Sequence, residues 1–516
     1  SLLIAAMSCL TSCTEESPVG SIDDETIELK WLGYPQNPNA SEGTIPEKLL
    51  EEKFNVEITP IFLSQSAYND KKAMLLASGE KIDFIYELDP VHVRQDVRQG
   101  LIAEIPYDTI KEYAPTVFAE LNKECPDAWI FSRVDGSNYG IPNMNYNNEY
   151  PYIGIWRKDW LENVGIDKVP ETLDEMYEAL YRFTYNDPDG NGQQDTYGMS
   201  DDISHRNLFT NIFGAFGVSP INWMADQSGE PVYGGFLPGT RDALELLANW
   251  YKAGIIHPDF ITDDMYSTGL EKFRNGKVGY SRYGGGFFDP MNANNIAKVT
   301  AELNEGAEVV NSPLVKGPNG DQGTFAWGKA CHIIAFGAHV AEDEAKMKRL
   351  LEIQEELLVN EELLVEVRLG TLGETFEYKD ASVGSTSGVN YLPPYDDNNQ
   401  RLNECFAPDF GSPAFFSAVT PTYDMYLKYR DYRITDVYNE FAPKEYAIVD
   451  MFIKPDILPS SSKYFVDIRN WQINLMVEII KGEKPIEAYD EFESYWNECG
   501  GKTLEEEAKE VVTEKA

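Results

Sequence analysis

Apolar residues recur through the first hundred positions with two alternating periods. In "TIELKWLGY", Ile27, Leu29 and Trp31 share one side and Glu28 and Lys30 the other, which is the two-residue repeat of a strand. "GTIPEKLLEEKF" shifts to three- and four-residue spacing, with proline near its opening, and predicts a helix. "NVEITPIFL" predicts a strand, and "AYNDKKAMLLASGE" a helix with its apolar face at Ala73, Leu76 and Ala77. "KIDFIYEL" predicts a strand and "PVHVRQDVRQGLI" a helix. Successive strand–helix units imply a mostly parallel sheet with helical crossovers, and such sheets bind ligands at the carboxyl ends of their strands. Trp31, Tyr34 and Tyr86 fall at those ends.

The alternation lapses in "DGSNYGIPNMNYNNEYPYIGIWRKDWLENVGI", rich in Asn, Tyr and Pro. It reads as a crossing segment followed by a strand and a short helix. "VPETLDEMYEALYRF" is a helix opened by a capping box, Thr172 with Glu175. Further on, "GTRDALELLANWYKAGII" predicts a helix and "MYSTGLEKFRNGKVGYSRYGGG" a helix running into a turn or strand. "GTFAWGKACHIIAFGA" predicts a strand pair, and "AEDEAKMKRLLEIQEELLV" a long amphipathic helix. "SKYFVDIRNWQINLMVEIIKGE" and "KPIEAYDEFESYWNECGG" read as terminal helices, the last closed by Gly500. "KTLEEEAKEVVTEKA" reads as a charged tail.

One loop breaks from ordinary turn chemistry. "NDPDGNGQQDTYG" carries Asp187, Asp189, Asn191, Gln193 and Asp195 in the odd-numbered register of an EF-hand-type loop, with Gly192 at the sharp turn. Calcium takes about 6–8 oxygens from carboxylates, amides and carbonyls, and Gln193 serves through its backbone carbonyl. Position twelve is Gly198 rather than the usual bidentate Glu, so this is not a helix–loop–helix calcium sensor. The alternative is an Asx- and Gly-rich turn that binds nothing. Nothing in the loop is catalytic, and a metal wrapped this way braces a fold.

The chain has 516 residues, 42% hydrophobic, and a formal net charge of −43. That field opposes nucleic acid and anionic membrane surfaces as partners. The opening "SLLIAAMSCLTSC" is apolar and uncharged, and reads as the end of a signal-peptide h-region. Leu10-Thr11-Ser12-Cys13 resembles a lipobox with Cys13 as the lipidated residue; Cys9 fits that pattern less well. An acidic tether, "TEESPVGSIDDET", follows. Cys125, Cys331, Cys405 and Cys499 show no CxxC and are read as free thiols, and the scattered histidines form no zinc spacing. No G-x-S-x-G, H-E-x-x-H or Walker sequence appears.

The order and spacing of "LLASGEKIDFIY", "YGIPNMNYN", "IGIWRKDWLENVGI", "NDPDGNGQQDTYG", "FRNGKVGYSRYGG" and "IIKGEKPIEAYDEF" resemble the extracellular solute-binding lipoproteins of bacterial ABC importers. The likeness is to the oligosaccharide-binding branch that includes LplA-type and alginate-oligosaccharide-binding proteins. It implies an α/β fold of two lobes, periplasmic-binding-protein-like, with the ligand cleft between them. Residues 1–12 are then a signal-peptide remnant and 13–26 a lipid-anchored tether. One lobe holds 22–144 with 337–375, and the other 145–336 with 400–500, with crossings near Pro142 and Phe336. The resemblance also implies a structural calcium at the loop, no catalysis, and a monomer on the extracellular face of the membrane (or in a periplasm) that delivers an oligosaccharide to permease subunits.

Sugars present apolar C–H faces to aromatic rings and hydroxyls to polar side chains. The candidates for contact are Trp31, Tyr34, Tyr86, Trp156, Arg157, Trp223, Arg282, Tyr283 and Trp327, with Gly284 to Gly286 allowing close backbone approach. The rival readings are a carbohydrate-active enzyme and an adhesion or sensor lipoprotein.

Overall fold

Ile27–Leu32 buries Ile27, Leu29 and Trp31 and exposes Glu28 and Lys30, as its alternation requires. In the computed structural model it forms part of a five-stranded sheet. The residues described are 25–33, 42–63, 67–87, 90–144, 149–201, 208–263, 268–288, 295–404, 434–452 and 457–515. The sheet order is Val56–Pro60, Ile27–Leu32, Phe84–Glu87, Ala330–Phe336, Ile141–Met144. The first three strands run parallel, and Ala330–Phe336 is antiparallel to both of its neighbours. Phe84–Glu87 is buried along its whole length, as a central strand covered on both faces must be.

The helices Ile45–Phe54 and Tyr68–Ala77 follow the first two strands. The buried face of Tyr68–Ala77 is Tyr68, Lys72 and Leu76, whereas Ala73 and Ala77 are exposed. That corrects the apolar face expected from sequence. The register turns because the Lys72 ammonium finds Glu87 and Asp96 beneath the helix. Glu344–Val359, capped by the Asp343 side chain, buries Leu350, Leu351 and Leu357 in one cluster with Leu29, Ile110 and Val117. The Glu355 carboxylate reaches across to accept from the amides of Thr116 and Val117 at 3.0 Å, capping Pro115–Glu124.

A second sheet has the order Val309–Ser312, Ile153–Arg157, Val278–Tyr283, Tyr197–Met199. Ile153–Arg157 is antiparallel to its two neighbours, and Tyr197–Met199 is parallel to Val278–Tyr283. Leu173–Tyr185 covers it, with the Thr172 hydroxyl accepting from the Glu175 amide as the capping box predicts. Ser461–Ile480 and Glu491–Glu498 pack with Pro238–Lys252 around Trp223, Tyr233, Leu247, Phe465 and Trp496. The chain has the α/β, two-lobed architecture, each lobe centred on one sheet.

Two elements depart from expectation. "GTFAWGKACHIIAFGA" yields two strands that do not pair with each other. Thr324–Phe325 lies parallel to Ala447–Ile448, while Ala330–Phe336 joins the first sheet. The return between sheets therefore falls before Ala330, not at Phe336. The segment read as a charged tail is the helix Gly501–Lys515, which buries Leu504 and Ala508 one turn apart. No helix among the described residues is long and apolar enough to cross a membrane.

Candidate functional site

The chain leaves the first sheet at Met144 and returns at Ala330, and these two residues pair. Both lie at the end of the sheet where Phe84–Glu87 finishes, because Ile333 pairs with Glu87 and Ala330 lies beyond it. The second sheet is entered at Ile153, which pairs with Tyr283, the last residue of its strand. Connecting segments and carboxyl strand ends thus share one end of each sheet.

At the first of these ends the Tyr86 ring lies 5.2 Å from that of His332. Tyr68 donates its hydroxyl to the Tyr86 carbonyl at 2.6 Å. The Glu87 carboxylate is buried, accepts from the Lys72 ammonium, and lies 3.1 Å from His92 Nδ1. Burial raises the Glu87 carboxyl, but Lys72 and His92 outweigh it and hold the group below its ordinary value. Asp96, 3.3 Å from the same ammonium, is raised by burial, which Lys72 only partly offsets.

At the second end Arg282 Nη1 donates to both Asp201 oxygens at 3.0 Å, and the pair is buried. Burial pushes the Tyr280 hydroxyl up to about 12 and that of Tyr283 higher still. Tyr150 and Tyr438 stack at 4.6 Å, and the Gly285 amide donates to the Tyr438 hydroxyl oxygen at 2.7 Å. Lys444 sits 5.0 Å over Tyr150 and pairs with Glu149. Tyr150 comes from the Asn- and Tyr-rich crossing, where composition hinted at it; nothing local in the sequence singled out Tyr438 or Lys444.

The expected sugar contacts separate into four groups. Tyr86, Arg282 and Tyr283 lie at the strand ends, and Trp327, half-buried and 4.9 Å edge-on to Phe325, lies in the returning segment. Trp31, Trp156 and Trp223 are instead core rings. Trp31 lies flat on Phe84 at 3.8 Å. Trp156 donates to Ser312 Oγ at 3.0 Å, and Trp223 is enclosed by Tyr233, Phe452 and Trp496. Rings walled in by their own lobe offer no face to a ligand, and Tyr86 and Tyr283 are as buried as these three, so among the described candidates only Trp327 keeps exposed ring surface. Arg157 is corrected too. It closes its strand at the end opposite Tyr283, gripped by Asp159 at 2.9 and 2.6 Å. There it lines an acidic cavity of about 440 Å³ with Asp159, Glu162, Asp189 and Glu308. Tyr34 and Cys13 lie outside the described residues.

The 187–198 loop lies on that side. Gly192 has φ +76°, the left-handed turn expected of it, and its amide donates to Asp187 Oδ2 at 3.0 Å. Asn191 Nδ2 is wedged between Asp189 Oδ2 at 2.9 Å and Asp195 Oδ1 at 3.1 Å. Lys277 Nζ takes Asp195 Oδ2 at 2.7 Å. These two donors hold the Asp195 carboxyl below its ordinary value, whereas desolvation, with Asp187 and Asp195 close by, raises Asp189. Asp187 Oδ1 is buried without a hydrogen-bond partner. Among the described residues no three His, Cys, Asp or Glu side chains gather into a metal-holding group. Here an amide and an ammonium stand where a cation would neutralise the acids. The donor set still suits a hard cation in kind, since every side chain carries oxygen, with Asn191 Oδ1 at present accepting from the Gln193 amide at 2.7 Å. Thr196 adds no ligand, because its hydroxyl donates inward to the Phe183 carbonyl at 2.7 Å.

A family model described as bacterial extracellular solute-binding protein matches residues 48–346. The lipoprotein LipO of Bacillus subtilis is 26% identical over 98% of this chain and 95% of its own length. The polygalacturonan/rhamnogalacturonan-binding protein YtcQ of the same organism is 28% identical over 64% of this chain and 62% of its own length. Among solved structures, the Streptococcus pneumoniae substrate-binding protein FusA in complex with kestose superposes with a TM-score of 0.68, covering 95% of this chain and 99% of that one at 17% identity. The alginate-binding protein AlgQ2 without calcium ion gives a TM-score of 0.67 at 16% identity, covering 95% and 98%.

Proposed function

Because this chain belongs to the family of bacterial extracellular solute-binding proteins, we propose that it captures an oligosaccharide between its lobes and hands it to the permease of an ABC importer. The observation that carries this reading is the match over 64% of the chain to a relative named for binding polygalacturonan and rhamnogalacturonan, on a fold shared over 95% of the chain with substrate-binding proteins solved with or named for sugars. The strand-end geometry supports it. Trp327 and Tyr150, both half-buried, are the described candidates for direct sugar contact, with Tyr86, Arg282 and Tyr283 buried at the same strand ends. The half-buried Tyr150 ring, stacked on Tyr438, suits a sugar C–H face. In this reading the protein is a monomer held at the outer face of the membrane through Cys13. It binds its ligand without chemical change.

The test is a thermal-shift and calorimetric screen over fructans, uronate oligosaccharides and neutral glucans, with mass spectrometry of the recovered sugar. The expected result is a raised melting temperature with at least one class and intact sugar. Cleaved sugar overturns the binding-protein reading in favour of an enzyme. An absence of response across all classes overturns the oligosaccharide.

We further propose that Asp187, Asp189, Asn191, Asp195 and the Gln193 carbonyl hold a structural calcium. The orphaned Asp187 oxygen supports this. When bound, the ion supplies the positive charge that three neighbouring carboxylates lack.

A further inference from the structure

We propose that Lys277 is a resident counter-ion of the 187–198 loop: it holds Asp195 when calcium is absent and competes with calcium for that carboxylate. The inference rests on the calcium reading above and concerns how the loop is tuned.

Lys277 is placed for this by the sheet, not by chance of a long side chain. Its carbonyl accepts from the Tyr197 amide at 2.9 Å, and Val278 pairs with Tyr197. The lysine is therefore fixed beside the exit of the loop, with Nζ 2.7 Å from Asp195 Oδ2. Asp195 is also the last carboxylate the loop can offer. A Cβ at Gly198 would lie 2.6 Å from Leu180 Cβ and 2.9 Å from the Ile255 carbonyl, so position twelve cannot carry the usual glutamate. The ammonium thus occupies the one acid that must close the shell.

The internal donors serve only part of the site. Asn191 and Lys277 answer Asp189 and Asp195, yet nothing answers Asp187 Oδ1. A single ammonium cannot bridge to that oxygen, whereas a divalent ion can. Lys277 keeps the loop assembled without metal and lowers its affinity for metal, because calcium affinity follows the net charge of the ligand set.

Calcium binding by calorimetry and melting temperature in EDTA are measured on the wild type, Lys277→Met, Lys277→Arg and, as a charge control at an exposed lysine of the first lobe, Lys81→Met. Lys277→Met is expected to bind calcium about two- to fivefold more tightly and to melt below the wild type in EDTA. Lys277→Arg should stay close to the wild type. In an Asp195→Asn background, Lys277→Met should lose its effect on the calcium-free melting temperature. Unchanged or weaker calcium binding in Lys277→Met, or an equal gain in Lys81→Met, overturns the competition alone. A wild type that binds no calcium at millimolar concentration overturns the calcium reading with it.

Discussion

A lysine with 2% of its surface exposed is costly unless its charge is answered. Lys72 is answered twice, by Glu87 and Asp96. Lys72→Met removes the cation and strands two buried acids, so it should cost about 3–5 kcal/mol in chemical denaturation. Acid should act on the same cluster. Glu87 is depressed below its unfolded value, so its contribution is complete at neutral pH and is lost as pH falls through the folded value. Asp96 is raised and runs the other way, costing stability at neutral pH and relaxing on acidification. Loss of the Glu87 share begins near its ordinary value of 4.5 and is complete only below its lower, folded value. Glu87→Gln should therefore flatten the fall in melting temperature between about pH 5 and about pH 3 compared with the wild type. None of this was legible in sequence, because a lysine among alanines in a helix reads as solvent-facing. The tight turn at Gly192 was legible because its whole spacing is local. The aromatic candidates divided because an aromatic residue reads the same in sequence whether its ring ends half-exposed, as Trp327 does, or in a core, as Trp31 does.

Elements with one wet face announced themselves. Ile27–Leu32 and Leu173–Tyr185 expose polar residues at the expected period, and both strand and helix were readable. Pairing was less readable. "ACHIIAF" is plainly a strand, but its neighbours Phe84–Glu87 and Ile141–Met144 lie far upstream, and no local feature names them. The helix Gly501–Lys515 was hidden by its charges, since only Leu504 and Ala508 mark the buried stripe. Those two positions give it structural weight. Leu504 is fully buried in the cluster that holds Trp223 and Trp496. Leu504→Ala should cost about 2–5 kcal/mol in urea unfolding, whereas a solvated tail would give no measurable change.

If the proposed oligosaccharide binds between the lobes, a ligand that touches both of them favours the closed form. A cognate oligosaccharide should therefore reduce the radius of gyration in solution scattering. A ligand that binds tightly and leaves the scattering curve unchanged would place its site within one lobe.

The position of Ala330–Phe336 beside Phe84–Glu87 also fixes an order of events in time. The ribosome delivers three parallel strands early, but the strand that closes their open flank arrives only after the entire second sheet has been made. Until then the first lobe has no finished state to fall into. The first sheet can therefore be completed only when about two thirds of the chain has been synthesised.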